Sequence, residues 1–486
     1  DILKIMILNI FIFLFAVFYL IIAWSKLEWA ILLMIAALPA YLIRFNVGVP
    51  MTLLELMILI SFFVWLITKT NFKLFIRGQY SWADYKRNKE SREKYPWRFE
   101  ITILLLISWT AIAVAGFTDG ALGIWKAYFF EPILVFILIL NLFKDKKGIE
   151  KIIPALSVSA FAVSVLAIYQ KLTGNLIGNP LWAAAETRRV VSFFGYPNAV
   201  GLYLAPITMI LTGWIAKEFS NFQFSIFKQF LINKFLIFKI SFVAFTILIS
   251  LLSIYFAKSE GAIIGLVAAF FIFGIFAGKK IRWVTLAFAI IIGGTILAYT
   301  PARTLALDKI QLHDLSGQIR RQQWKETWKM LNDGHFIFGA GLDNYQKTIN
   351  PYHQEGIFVY DFHDPNFHEK LVASDELKKK VWQPTEIYMY PHNILLNFWS
   401  ELGLLGMILF VWIILKFLGF SFQVLVFKNN KNKYIILGLL CSMVVIVVHG
   451  LVDVPYFKND LAVMFWLMIA MLSIITIENK NKIGYE

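Results

Sequence analysis

Of the 486 residues, 59% are hydrophobic and only 16% charged, where a soluble domain carries about 25% charged residues, so a soluble globular fold is excluded. The net charge of +15 lies in short loops between apolar runs, which excludes nucleic acid as the partner and fits loops facing the cytoplasmic membrane surface. Cys441, the single cysteine, sits inside an apolar run; this excludes an intramolecular disulfide and argues against a thiolate site.

Candidate spans of roughly 17–25 residues, enough to cross a hydrocarbon core about 30 Å thick, cover 6–23, 28–44, 52–69, 101–117, 126–143, 152–171, 198–216, 240–257, 261–278, 283–300, 398–427 (longer than the rest, with room for a break), 434–450 and 460–477. No cleavable signal peptide stands out before the first of them. The predicted fold class is all-α: a polytopic transmembrane helical bundle of about 12–13 spans, with one large extracytoplasmic loop domain containing short helices. The chain divides into N-terminal transmembrane helices with a basic cytoplasmic loop (1–100), a central transmembrane bundle (101–300), the large loop (301–390) and C-terminal transmembrane helices (391–486).

Lys and Arg cluster in 71–100, in "KDKKGIEK" (144–151), "KKIR" (279–282), "KNNKNK" (428–433) and "ENKNK" (478–482), with Lys217, Lys228, Lys234 and Lys239 as a weaker series. All fall on one side of the thirteen spans, the cytoplasmic side by the positive-inside rule. The C-terminus is then inside, and the N-terminus outside unless one of the first two runs fails to span. The segments 173–197, 301–390 and 450–459 share the opposite face. The 301–390 stretch is too long for a simple connector, and such loops carry function.

Four groupings could carry chemistry. In "ETRRVVSFFGYPNAVGLYLAP" (186–206), Arg188 and Arg189 precede a turn whose Asn198 could cap the next helix. In "SGQIRRQQWKETWKML" (316–331), Trp324, Trp328 and Leu331 make one apolar face of a helix suited to the membrane boundary. Arg320 lies on that face and Arg321 beside it. A helix lying on the outer leaflet would point Arg320 into the protein; the alternative is an interfacial helix whose arginines snorkel to lipid phosphates. "FGAGLDNYQ" (338–346) follows as a turn whose glycines could bring backbone close to a ligand.

In "YPHNILLNFWSELGLLG" (390–406), His392 and Asn393 open an apolar run, and Asn393, Asn397, Ser400 and Glu401 form a polar stripe at helical spacing. Such a stripe faces something other than lipid. "HGLVD" sets His449 and Asp453 at i,i+4, where they could hydrogen-bond and terminate the helix. Two further features read as structural: Arg44 with Glu55 at the ends of adjacent runs, and "DFHDPNFHEK" (361–370), whose Asp361, His363, Asp364, His368 and Glu369 match no specific metal-ligand spacing.

With "RVVSFFGYPNAVGLYL", "AKSEGAIIGL", "RRQQWKETWKMLNDGHFIFGAGLDNY", "YPHNILLNFWSELGLLG" and "HGLVDVPYF" in this order, the chain resembles the O-antigen ligase and polymerase superfamily of bacterial membrane glycosyltransferases from about residue 100 to its end. It departs at the N-terminus, where one more apolar run exceeds the family's usual twelve. The resemblance implies transfer of a glycan from a polyprenyl-diphosphate carrier to a glycolipid, glycan or protein acceptor, on the extracytoplasmic face of the bacterial inner membrane, without metal, nucleotide or other cofactor. By position it implies His392 as general base, and the 393–401 stripe below it would then line the cavity. It implies Arg320 and Arg189 as diphosphate ligands, with Arg321 and Arg188 as their alternatives, and Asn393, Asn198, His449 and Asp453 in support.

The chemistry suits those residue types. A departing diphosphate develops negative charge that a fixed guanidinium can hold, and histidine is the side chain whose ordinary pKa is nearest physiological pH. Ligase, polymerase and protein O-oligosaccharyltransferase remain open. A lipid-linked sugar transporter or flippase should show repeated halves with ionisable groups near mid-membrane, whereas here they gather at one face. A structural or assembly role would account for the spans but not for the Arg and His groupings.

Overall fold

The computed structural model describes residues 2–46, 48–69, 96–222, 234–426 and 432–483. Most of the basic 71–100 loop, Lys228 and residues 428–431 lie outside the described residues. The described residues form an all-α bundle with two small hairpins.

Among the described residues, ten helices are at least 18 residues long and apolar enough to cross a membrane. They are α1 (Ile2–Ser25), α5 (Asp119–Leu142), α6 (Lys146–Thr173), α7 (Pro197–Phe222), α8 (Lys234–Ala257), α9 (Glu260–Ala277), α10 (Lys279–Ala298), α13 (Ile394–Val426), α14 (Lys433–Gly450) and α15 (Asn459–Ile483). Two more, α3 (Leu53–Lys69) and α4 (Arg98–Val114), have 17 residues each, a length of about 25 Å. The protein is a multi-pass membrane protein.

The run expected over 28–44 is a broken span. Helix α2 (Leu27–Ala36) stops after ten residues and continues as a 3-10 turn, Leu38–Leu42, because Pro39 has no N–H to extend the ladder. The run still crosses from one end of the bundle to the other. Glu28 pairs with Lys151 at 2.6 Å, beside the basic 144–151 segment. The hairpin that follows, β1 (Arg44–Asn46) against β2 (Pro50–Thr52), lies at the opposite end, where Lys126 donates to the Pro50 carbonyl and pairs with Glu55 at 3.2 Å. Glu55 thus serves a structural ion pair.

Small residues set the closest packing at the centre. Gly213 of α7 and Gly438 of α14 face one another so tightly that a Cβ on Gly213 would lie 2.7 Å from the Gly438 Cα. Close backbone approach of this kind replaces hydrophobic drive as the glue between helices in lipid. Helix α15 is buried along most of its length, whereas α10 has no buried residue and packs on α9 along one side, where Thr285 meets Gly274.

The large loop is a folded cap. It contains α11 (Thr300–Ile310), α12 (Leu315–Met330), several short helical turns and a hairpin pairing β3 (Gly356–Phe358) with β4 (Trp382–Pro384). A small core of Met330, Leu331, Ala340, Tyr345 and Ile349 holds it together. Its 337–343 segment runs down beside the bundle. Ala340 N–H donates to the Ser400 carbonyl (2.6 Å), Leu342 N–H to the Ala111 carbonyl (3.3 Å) and Leu404 N–H to the Ile337 carbonyl (3.0 Å).

Those bonds require α13 to break, and it breaks at Gly403, with φ 81° and ψ 178°. Only glycine adopts that conformation without cost, and a Cβ there would meet the Phe338 backbone at 2.8 Å. Non-helical backbone at this depth persists because protein, not lipid, surrounds it.

Candidate functional site

At the cap end of the bundle a cavity of about 280 Å³ is walled by four segments distant in sequence: the 187–198 loop, the α8–α9 turn, the start of the cap and the end of α14. Arg189, Asn198, Lys258, Arg320, His449 and Asp453 all line it. Arg189 reaches it because its Nε donates to the Ala257 carbonyl (3.0 Å) and its Nη2 to Asn198 Oδ1 and the Lys258 carbonyl, each at 3.3 Å. Asn198 passes the link on, donating from Nδ2 to Asp453 Oδ2 at 3.1 Å. It therefore bridges loop and helix end rather than capping the helix.

Arg320 enters from the opposite wall. Its Nη1 donates to Ser316 Oγ at 2.7 Å, and its buried Nε has no partner. Lys309 is neutralised by Glu260 and Asp314, at 2.8 Å each. Asp314 also caps α12 through Gly317 N–H. Among the described residues, no carboxylate pairs with Arg189, Lys258 or Arg320. Burial lowers the Arg189 pKa from its ordinary value, Glu260 opposes that shift, and Arg320 adds to it. The lining carries four cations, Arg189, Lys258, Lys309 and Arg320, against Glu260, Asp314 and Asp453, so it keeps a net positive charge suited to an anion.

His392 is not among the residues that line this cavity, but it lies close enough to Arg320 and Asp453 to feel both charges; its ring sits between those of Tyr388 and Tyr390, with centroids at 5.0 and 5.3 Å. Its Nδ1 lies 3.1 Å from Gln323 Oε1. An amide oxygen can only accept, so Nδ1 carries the proton and Nε2 keeps its lone pair. Burial lowers the imidazole pKa; Asp453 opposes that and Arg320 reinforces it.

The backbone here is left-handed, with φ 46°, a conformation that costs a non-glycine residue about 1–3 kcal/mol. Neighbouring bonds hold it in place. Trp324 Nε1 donates to the Pro391 carbonyl (2.9 Å), Asn393 Oδ1 caps α13 through Leu395 and Leu396 N–H, and Asn393 Nδ2 donates to the Leu451 carbonyl at 3.1 Å.

Several sequence expectations take a different form. Arg188 is turned away, its guanidinium occupied by the Ala183 and Lys171 carbonyls. Arg321, about 100° further round α12 than Arg320, lines a separate cleft on the outer flank of the cap. The buried side of α12 is Gln323, Glu326, Thr327 and Met330, while Trp328 is 48% exposed, so the helix packs on the cap through a largely polar face.

The stripe at 393–401 does not line the cavity. Glu401 accepts from Asp343 N–H (2.9 Å), Ser400 offers its carbonyl to Ala340, and Asn397 is buried; the stripe faces the descending loop segment. His449 and Asp453 make no hydrogen bond to each other. Asp453 accepts from Asn198 and Val454 N–H, and His449, buried to 2% exposure, leaves Nδ1 without a partner. Its ring packs on Gly261, where a methyl group would overlap it. In 361–370, His363 pairs with Asp308 and Asp364 with Lys370, so these side chains serve local contacts; among the described residues no group of three or more His, Cys, Asp or Glu is placed to hold a metal ion.

Lys258, Gly261 and Gln323 belong to the site and were not singled out from sequence. The charged pair in "AKSEGA", stranded between two apolar runs, was the signal available for the first two.

No curated protein matches the chain. The family described as O-antigen ligase matches residues 245–411, which include Lys258, Gly261, Arg320, Gln323 and His392 and stop short of His449 and Asp453. The match covers about a third of the chain and supports its resemblance to the O-antigen ligase and polymerase superfamily.

Proposed function

We propose that the protein is a glycosyltransferase of the bacterial inner membrane that moves a glycan from a polyprenyl-diphosphate carrier to an acceptor hydroxyl on the extracytoplasmic face. One observation carries the reading: Arg189, Lys258 and Arg320 converge on one cavity with no carboxylate paired to them among the described residues, and Arg320 lies within electrostatic reach of His392, whose Nδ1 is engaged by Gln323. In this reading the two arginines grip the diphosphate. The acceptor oxygen attacks the anomeric carbon as the bond from that carbon to the phosphate oxygen breaks. The electron pair leaves with the polyprenyl diphosphate, and the hydroxyl proton passes to His392 Nε2.

Cations held in place by carbonyls and a hydroxyl need no rearrangement as charge develops, the condition under which electrostatic stabilisation is strongest. They supply the role that a divalent cation plays elsewhere, so transfer should persist in excess chelator. His392 lies where a lipid-borne donor and a water-exposed acceptor can meet.

The test is reconstitution with a defined polyprenyl-diphosphate oligosaccharide and three acceptors offered in parallel: a lipid core, a second carrier-linked glycan and an acceptor protein. Sugar gained by one of them, in chelator, supports the reading and identifies the acceptor; gain by none overturns it. The side is tested on a Cys441→Ser background. A cysteine at Asp375 in the cap should react with an impermeant thiol reagent in intact cells, and one at Lys147 only after permeabilisation. The reverse pattern would place the site in the cytoplasm.

A further inference from the structure

Helix α12 separates two concavities. The flank opposite Arg320 forms one wall of an open cleft of about 750 Å³ whose other walls are the β3–β4 hairpin and the 354–362 segment. That volume is within the range of about 300–1,000 Å³ usual for ligand sites.

Three aromatic side chains face the opening while remaining about two-fifths exposed: Phe358 at 42%, Phe362 at 40% and Trp382 at 43%. They are not loose. Phe358 and Trp382 are cross-strand partners in edge contact at 4.9 Å, and Phe362 is backed on one face by the His313 ring at 3.7 Å. Gln318 fixes the floor, donating to the Tyr360 carbonyl and accepting from Tyr360 N–H.

Arg321 and Lys325, one helical turn apart, both line this cleft, and neither has an ion-pair partner among the described residues. Glu355 is the one acidic residue among its lining residues. Rigid apolar ring faces beside two unpaired cations suit a ligand with flat C–H faces and negative charge, which describes a sugar chain bearing carboxylates.

We propose that this cleft is a second binding site, taking an acidic oligosaccharide segment several sugars removed from the reacting end. The assignment of a glycan as the ligand rests on the transferase reading above. Since α12 is about 10 Å across, a glycan whose diphosphate lies against Arg320 must pass over the helix to be held on the far flank. Binding there adds affinity without touching the reacting atoms.

The experiment measures binding of tetragalacturonate to the detergent-purified full chain by calorimetry, with maltotetraose as the neutral control. Tetragalacturonate should bind and maltotetraose should not. Arg321→Gln combined with Lys325→Gln should weaken binding about tenfold and flatten its salt dependence, with unfolding temperature unchanged because neither side chain has a partner to lose. Trp382→Leu should weaken it by a salt-independent amount.

Equal binding of both sugars, or unchanged binding in the double variant, overturns the proposal. So does a double variant that binds tetragalacturonate normally but loses association with phosphatidylglycerol vesicles, which would make the cleft a lipid contact. Arg189→Gln keeps the two readings apart. If it and the wild type bind tetragalacturonate alike and neither transfers sugar, the transferase reading fails and the cleft stands. If transfer proceeds and tetragalacturonate does not bind, the cleft fails alone.

Discussion

His392 Nδ1 faces Gln323 Oε1 at 3.1 Å, across 69 residues of sequence, so a helix of the cap sets the tautomer of a histidine at the start of a membrane helix. If His392 is the base, as proposed, it should contribute about 10²–10⁴-fold to the rate. His392→Ala and His392→Gln should both reduce glycan transfer by that amount while the protein inserts and accumulates normally, since glutamine preserves hydrogen bonding but takes no proton near neutral pH. Transfer restored by glutamine would show that the residue positions substrate and that the base lies elsewhere.

The pH profile follows from the burial of His392, which holds its pKa below the ordinary value near 6.5. A base works when neutral, so kcat/KM should stay flat as pH falls through 6.5 and decline only below it. Arg320 lowers the pKa and Asp453 raises it. Arg320→Gln should therefore move the acid limb upward, and Asp453→Asn should move it downward. An acid limb above pH 7 in the wild type would contradict the assignment.

Arg189 and Arg320 present forked donors, and lysine cannot reproduce two parallel bonds to one phosphate. Loss of one charge-assisted contact is worth about 1.5–3 kcal/mol, or roughly ten- to a hundred-and-fifty-fold in rate when felt in the transition state. Arg189→Lys and Arg320→Lys should each lose that much in kcat/KM. Arg188→Ala, whose guanidinium serves two carbonyls, should lower thermal stability more than kcat. Full activity in both lysine variants would remove the pair from the chemistry.

Gly261 and His449 form a matched contact. Gly261→Ala should overfill it and destabilise the protein by about 1–3 kcal/mol, measured as a fall in unfolding temperature in detergent. Adding His449→Ala should recover part of that loss, because the ring that clashes is gone and the two changes are not additive. A double variant no better than the sum of the singles would show that the strain falls on other neighbours.

The spans were legible because a lipid solvent demands long apolar runs, and only the Pro39 break in 28–44 escaped that reading. The arginine pairs were legible as pairs. Which member enters the site was not, because neighbours on a helix differ by about 100° and the direction of α12 depends on contacts made elsewhere in the cap. The stripe at 393–401 was read correctly as polar and wrongly as cavity lining. Period alone cannot distinguish a face that meets solvent from one that meets another stretch of backbone. Gln323 carried no mark in the sequence, since an uncharged amide on a polar helix acquires its role only from the histidine opposite.

The break at Gly403 has a consequence for engineering. Because residues 337–343 are knitted into the carbonyls of Ala111 and Ser400, the cap is not a detachable cassette. Grafting the 301–390 region from a relative to alter acceptor choice would sever those bonds unless the graft carried the matching turns of α4 and α13 with it. Swaps confined to the outer hairpin and the 361–381 stretch leave the seam untouched, and there variation in this cap can accumulate at least cost to the membrane domain.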